Sequence, residues 1–364
     1  MNFTLSSYDF ELPEGSIAQK PTQKRDESRL LHLDTVTGKI FHEMFSSLVD
    51  LLRPNDVLVV NDTRVFPARL FGHKETGGKI EFMLLHYPEP QNILTEKGKG
   101  APAAWESKAT VRGLLKSSKR PKPGTGLNFG PDLQGEVVDI ASDATVTVRL
   151  FWNGELDLLL TKYGNVPLPP YIRRDCGNES SDRERYQTVY ANKNGAIAAP
   201  TAGLHFTKSL LADIEKKGVA VATITLHVGY GTFAPVRVED IRHHKIHAEY
   251  ITVSKNAVDK VNSAKHAQGR VWAVGTTTTR ALEYSADGQG GIRETQGPCD
   301  LYIYPGYTFR VVDNLVTNFH LPKSSLLFMV SAFAGREKVM KAYREALKKG
   351  YRFYSYGDAM VLTK

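Results

Sequence analysis

The chain has 364 residues, 41% of them hydrophobic and 24% charged, with two cysteines and a formal net charge of +8; that length favours two domains over one. No apolar run approaches the ~18 to 20 residues needed to cross a bilayer, which excludes a spanning helix, and two cysteines are too few for a disulfide framework. The start of the chain lacks a basic segment leading into an apolar one, which predicts a cytoplasmic protein with Cys176 and Cys299 reduced, and the excess of Lys and Arg suits either a polyanionic partner or simply a basic soluble surface.

In chain order, Val57-Leu58-Val59-Val60 reads as a buried strand that ends at the polar cluster Asn61-Asp62-Thr63-Arg64. After it the hydrophobic period shortens. Strands are expected at residues 68–71, 79–85, 135–139 and 144–152, separated by turn signals such as Gly77-Gly78, Lys122-Pro123-Gly124 and Asp132. This pattern predicts a small β-barrel-like domain, residues 64–152, inserted into an α/β domain made of residues 1–63 and 153–364. Within the insertion Lys108, Arg112, Lys116, Lys119, Arg120 and Lys122 form the densest basic patch, with no acidic residue between positions 108 and 131. Farther along, Thr207 is placed to cap a helix over residues 208–217 that Gly218 stops, followed by a strand over 219–228. A helix from Ser254 to near Gly269, a strand over 270–275, a strand over 301–304 and an amphipathic helix over 335–349 complete the alternation. The fold class is therefore α/β: a mixed sheet or barrel-like α/β main domain with an inserted small β-barrel.

Small and polar residues gather where these strands end, the usual place for ligand-contacting loops in α/β proteins. Ala199-Pro200-Thr201-Ala202-Gly203-Leu204-His205-Phe206 leads into the capped helix, and Leu226-His227-Val228-Gly229-Tyr230-Gly231-Thr232-Phe233 closes a long apolar strand. His205 and His227 each read equally well as a neutral base or as a hydrogen-bonded histidine inside the fold. No GxGxxG precedes a helix, so a Rossmann nucleotide loop is not supported. His243-His244-Lys245-Ile246-His247-Ala248-Glu249 lacks HExxH spacing and a third ligand, so no metal is expected; Glu249 reads instead as an anchor for a ribose hydroxyl or a cation. Gly275-Thr276-Thr277-Thr278-Thr279-Arg280 offers hydroxyls at a helix start, at least one of them a plain N-cap. Thr317-Asn318-Phe319-His320-Leu321-Pro322 and Tyr354-Ser355-Tyr356-Gly357-Asp358-Ala359-Met360 have the same character.

These segments, in this order, resemble the ribosyltransferase-isomerases of queuosine biosynthesis. The resemblance extends to Tyr8-Asp9-Phe10, Val60 to Val65, Val166-Pro167-Leu168-Pro169-Pro170-Tyr171-Ile172 and Arg185-Tyr186-Gln187-Thr188-Val189-Tyr190-Ala191, and departs mainly at residues 91–122, which are longer and more basic. It implies that S-adenosylmethionine is a co-substrate rather than a bound prosthetic group. Its ribose moiety would be transferred and isomerised onto 7-aminomethyl-7-deazaguanine at the wobble position of tRNA, giving epoxyqueuosine with release of adenine and methionine. The sulfonium acidifies the neighbouring C5′ hydrogens, so a base must reach that carbon. His205, His227 and His320 are the candidates, with Asp358 a competing acid or base. Thr201, Gly203, Gly229, Gly231, Thr232, Glu249, Thr277 and Arg280 would hold the co-substrate, and Arg64, Lys116, Lys119, Arg120, Arg173 and Arg185 would contact the RNA. The rival readings are an S-adenosylmethionine-dependent RNA methyltransferase and a non-catalytic RNA-binding protein.

Overall fold

A computed structural model describes residues 2–89, 91–92, 105–174, 181–233 and 235–364. The apolar run at Val57–Asn61 is buried at every position because it lies inside a nine-stranded sheet with elements packed on both faces. The strand order is Thr295–Cys299, Glu249–Val253, Ala220–Leu226, Val57–Asn61, Val271–Val274, Asn314–Asn318, Ala359–Thr363, Arg29–Asp34 and Ile40–Met44. The four strands from Ala220–Leu226 to Asn314–Asn318 run parallel. Those flanking them are antiparallel, and Ala359–Thr363 joins the parallel block to the Arg29–Asp34/Ile40–Met44 hairpin. The main sheet is thus mixed.

Helices Lys208–Lys216, Lys255–His266 and Thr276–Tyr284 connect these strands, and Ser325–Ala334 and Arg336–Lys348 precede the last one. The first begins where the Thr207 hydroxyl accepts the Leu210 N–H at 3.1 Å and ends ahead of Gly218, whose φ of 84° only glycine adopts freely. Arg336–Lys348 buries Val339, Met340 and Tyr343 along one stripe. Among the described residues no helix is long and apolar enough to cross a membrane. One expected element is absent: residues 301–304 are irregular, and the sheet edge is taken by Thr295–Cys299. Gly297 and Pro298 hid that strand, yet an edge tolerates both. The apolar residues at 301–304 instead serve a side-chain cluster, with Tyr302 against Tyr304 and Tyr304 against Phe3.

The second sheet closes on itself. Strands Arg69–Lys74, Lys79–Leu84, Ser107–Ser117, Thr145–Trp152, Leu133–Ile140 and Gly126–Gly130 pair antiparallel in that ring order, and Gly126–Gly130 returns to Arg69–Lys74. Leu70, Phe82, Val111, Leu127, Val148 and Leu150 fill the interior. Gly113 is required by close approach, since a Cβ there would fall 2.1 Å from the Phe82 ring. Ser107–Ser117 explains the basic patch: Ala109, Val111 and Gly113 point inward, while Thr110, Arg112 and Lys116 are exposed.

Candidate active site

The parallel strands end together, and the loops leaving them line a cleft of about 460 Å³. This is the carboxyl edge of the sheet, where open α/β folds place ligands. Gly275, at φ 90°, turns the chain from Val271–Val274 into the Thr276–Tyr284 helix, and Thr276 and Thr277 line the cleft. Ser324 caps the Ser325–Ala334 helix by accepting the Leu327 N–H at 3.2 Å, and it too lines the cleft. Two helix N-termini therefore open on one cavity, an arrangement that favours a carboxylate. Among the described residues no Asp or Glu lines the cleft, and the one Lys or Arg that does, Lys323, pairs with Asp9 at 2.7 Å.

Of the candidate bases, His320 lines the cleft and the other two do not. One ring nitrogen, Nε2, lies 2.8 Å from the Thr317 hydroxyl, and its backbone N–H donates to the Tyr343 hydroxyl at 3.0 Å. Burial pushes the imidazole down to about 3, so it is neutral near pH 7. His205 is enclosed behind the cleft. Asn318 Nδ2 donates to its Nε2 at 3.1 Å, which makes Nδ1 the protonated nitrogen, facing Ser28 Oγ at 2.7 Å. Burial holds His205 down to about 4 despite the opposing charge of Asp358. Asn318 also accepts from the Thr201 hydroxyl at 3.0 Å and donates to the Tyr354 carbonyl at 3.2 Å, so His205 steadies the residue that fixes two cleft walls. His227 sits elsewhere, with Nδ1 2.8 Å from the Thr63 hydroxyl; burial lowers its pKa and Asp62 opposes the shift.

The remaining positions divide by what their polar atoms already touch. Asp358 is 2% exposed and accepts from the Arg29 N–H, the Arg352 N–H and the Arg352 guanidinium at 3.1, 2.9 and 3.0 Å. Glu249 accepts from the Gly229 N–H and the Thr232 hydroxyl, each at 3.0 Å, and from Arg280 at 2.6 Å. Arg280 donates further to the carbonyls of Leu301 and Cys299, both at 3.1 Å. The Glu249–Arg280 pair thus braces the loop that brings Thr232 to the cleft, where Thr201 and Thr277 also stand. Gly203 and Gly231 are packing positions, since a Cβ at either would fall 2.1 Å from the Tyr190 hydroxyl or 2.4 Å from the His247 ring. At Gly229 a Cβ would meet open space.

Arg64, Lys116, Lys119 and Arg120 are exposed, the last three together on the barrel. Arg173 pairs with Glu14 at 2.6 Å, whereas Arg185 donates to the carbonyls of Thr22 and Gln23 and so ties down the N-terminal segment. Cys299 is buried and has no disulfide partner among the described residues, and Cys176 lies outside them. Among the described residues no group of three or more His, Cys, Asp or Glu is placed to hold a metal ion.

Sequence reasoning singled out His320 and Asp358 in their motifs but passed over Asn318, Tyr354 and Tyr171. Asn318 is the hub of the hydrogen bonds behind the cleft. Tyr171 and Tyr354 form an aromatic corner in it, with ring centroids 4.3 Å apart. Their signal was positional only: Asn318 and Tyr354 stand in segments already marked as small and polar, and Tyr171 in one of those that carry the family resemblance.

Comparison with known proteins gives one consistent answer. The family described as "Queuosine biosynthesis protein" matches residues 5–362. A Desulfotalea psychrophila protein named S-adenosylmethionine:tRNA ribosyltransferase-isomerase is 49% identical over 98% of this chain and 97% of its own length. Proteins of the same name from Nitratidesulfovibrio vulgaris and Clostridioides difficile are 52% and 47% identical, covering 99% and 98% of this chain and 98% of each relative. A crystal structure of the S-adenosylmethionine tRNA ribosyltransferase from Thermotoga maritima is 35% identical, with a TM-score of 0.54, over 98% of this chain and 100% of that one. With a family match spanning nearly every residue and relatives near half identity over their full length, the chain belongs to the queuosine biosynthesis protein family.

Proposed function

We propose that this chain is an S-adenosylmethionine:tRNA ribosyltransferase-isomerase that acts in the cytoplasm without a prosthetic group. It moves the ribose moiety of S-adenosylmethionine onto 7-aminomethyl-7-deazaguanine at the tRNA wobble position, isomerises it to epoxyqueuosine, and releases adenine and methionine. The observation that carries this reading is the cleft at the carboxyl edge of the sheet. It joins two helix N-termini, a set of threonine hydroxyls and one neutral imidazole, with no carboxylate among the described residues of its lining.

The methionine carboxylate suits the helix starts at Thr276 and Ser325. Thr201, Thr232 and Thr277 supply hydroxyls to the ribose. His320 is the base for the C5′ proton, because it is the candidate histidine that lines the cleft and its imidazole is unprotonated at neutral pH. Burial and the positive charge of the sulfonium next to C5′ both keep the ring unprotonated, so it is free to accept a proton. Thr317 orients the ring through Nε2, which leaves Nδ1 for the substrate. His205 acts through Asn318 as a positioning residue, and Glu249 with Arg280 does the same for the Thr232 loop. Residues 64–152 form an inserted domain that contributes Lys116, Lys119 and Arg120 to the RNA-binding surface, with Arg64 and Arg173 alongside.

Incubation with S-adenosylmethionine and an anticodon stem-loop carrying 7-aminomethyl-7-deazaguanine should yield free adenine and methionine in equal amounts with the modified RNA. Release of S-adenosylhomocysteine would mark a methyltransferase, and no small-molecule product would mark a binding protein; either result refutes the reading.

A further inference from the structure

Tyr354 combines three features that packing alone leaves unexplained. Its backbone is held at φ 72°, in the left-handed region where a bulky side chain is rare and strain collects at working sites. Tyr354 lines the cleft together with Tyr171, and its ring lies against the Tyr171 ring, tilted by 48°. Its hydroxyl is buried and, among the described residues, has no hydrogen-bond partner.

The conformation is imposed from several sides. The Tyr354 N–H donates to the Phe319 carbonyl at 3.2 Å, and its carbonyl accepts from Asn318 Nδ2 and from the Gly357 N–H. Tyr171 is fixed in turn, with its hydroxyl 2.7 Å from Ser355 Oγ. Two phenol rings are therefore set rigidly in a corner of the cleft, one of them keeping an unused polar atom. A buried hydroxyl without a partner is costly, and a ligand that supplies the partner recovers that cost. An aromatic face beside a hydrogen-bonding group suits a flat heteroaromatic ring with ring nitrogens at its edge. It does not suit a phosphate or a carboxylate.

Building on the function proposed above, we infer that the Tyr171–Tyr354 corner is the adenine subsite. The purine of S-adenosylmethionine packs against the rings, and the Tyr354 hydroxyl bonds one of its edge nitrogens. The choice of adenine over the RNA base follows from enclosure: Tyr354 is only 5% exposed, and a small molecule can be drawn in that far while a base tethered to an RNA loop meets the open side. Burial also raises the phenol pKa, so the hydroxyl stays protonated and acts as a hydrogen-bonding group throughout the working pH range.

The test pairs deletion of the hydroxyl with deletion of its partner. Tyr354→Phe should bind S-adenosylmethionine about tenfold more weakly by equilibrium dialysis, the scale of one lost hydrogen bond, with an unchanged melting temperature and an unchanged KM for the RNA. S-adenosylmethionine analogues lacking N1, N3 or N7 are then titrated. One of them should lose about tenfold with the unaltered protein and nothing further with Tyr354→Phe. Full affinity of Tyr354→Phe, or losses that simply multiply for every analogue, overturns the inference. A variant that changes only the KM for the RNA assigns the corner to the RNA base and overturns it equally. Adenine release by the unaltered enzyme is scored in parallel, so failure of the function and failure of the subsite give different results.

Discussion

His320 and His205 show how one residue type acquires different duties from its surroundings. Both are buried, but His320 stands in the cleft lining with one ring nitrogen engaged by Thr317, while His205 stands outside it with both nitrogens engaged, by Ser28 and Asn318. His320→Gln should therefore leave S-adenosylmethionine binding within a few-fold and lower the single-turnover rate by roughly two to four orders of magnitude. His205→Asn should act mainly on KM. The same burial makes both histidines liabilities in acid. Their folded values, about 3 for His320 and about 4 for His205, lie below the ordinary 6.5, so the unfolded chain takes up protons first. Their contribution to stability is complete above pH 6.5 and falls as pH drops toward those folded values, by up to ~1.4 kcal/mol per pH unit for each. Denaturant titrations between pH 6 and pH 4.5 should show this slope reduced by about one proton in each variant; an unchanged slope would mean that the rings are not neutral in the folded state. Sequence alone could nominate three histidines. It could not separate them, because only the fold shows which of the three stands in the cleft lining.

At the scale of elements, two devices hold the cleft walls in place. The first is the turn that carries Tyr354 and Ser355 into the Ala359–Thr363 strand. A Cβ at Gly357 would fall 2.5 Å from the Arg352 carbonyl oxygen and 2.6 Å from the Phe353 carbonyl carbon, backbone atoms that cannot swing away. Gly357→Ala should cost about 1 to 3 kcal/mol by urea denaturation and should weaken co-substrate binding as well. The second is the Arg280–Glu249 pair, which ties the Thr276–Tyr284 helix to the Glu249–Val253 strand with both side chains almost fully buried. Arg280→Met leaves a carboxylate stranded, and a loss of ~3 to 5 kcal/mol is expected, part of which Glu249→Gln in the same chain should restore. The helices Lys208–Lys216, Lys255–His266 and Arg336–Lys348 and the central strand were legible because of their period or punctuation: Thr207 before one helix, Gly218 after it, and an unbroken apolar run for the strand. Thr295–Cys299 was not, since a glycine and a proline mask an edge strand. Ser107–Ser117 was seen only as positive charge, its inward Ala109, Val111 and Gly113 being too small to stand out.

Across the whole molecule, the barrel and the mixed sheet present different chemistry. The sheet encloses a cleft with no acid among the described residues that line it, and the barrel displays Lys116, Lys119 and Arg120 to solvent. Replacing those three by Gln should weaken RNA binding and flatten its dependence on salt, by ~0.7 to 0.9 in the log–log slope for each phosphate no longer neutralised, while S-adenosylmethionine affinity stays the same. An unaltered slope would reduce the patch to a solubilising surface. The presence of a barrel beside the mixed sheet was readable in the sequence because the apparent strands become short after Pro67 and strand–helix alternation resumes farther along, although the barrel core continues past Trp152 through Leu156, Leu159 and Leu160. The closure of the barrel was not, because it depends on Gly126–Gly130 returning to Arg69–Lys74, a pairing that no local signal announces.

The place of the Ala359–Thr363 strand also bears on the order of events during synthesis. Its residues pair with Leu30 to Asp34 on one side and with Leu315 to Asn318 on the other, so it is the bridge between the earliest hairpin and the parallel block. The barrel strands are near neighbours in sequence and can associate as soon as they leave the ribosome. The hairpin has no such option. It must wait with one edge unsatisfied until the bridging strand arrives, and during that interval the nascent chain is a half-assembled species with an exposed strand edge and a clear need for protection from aggregation.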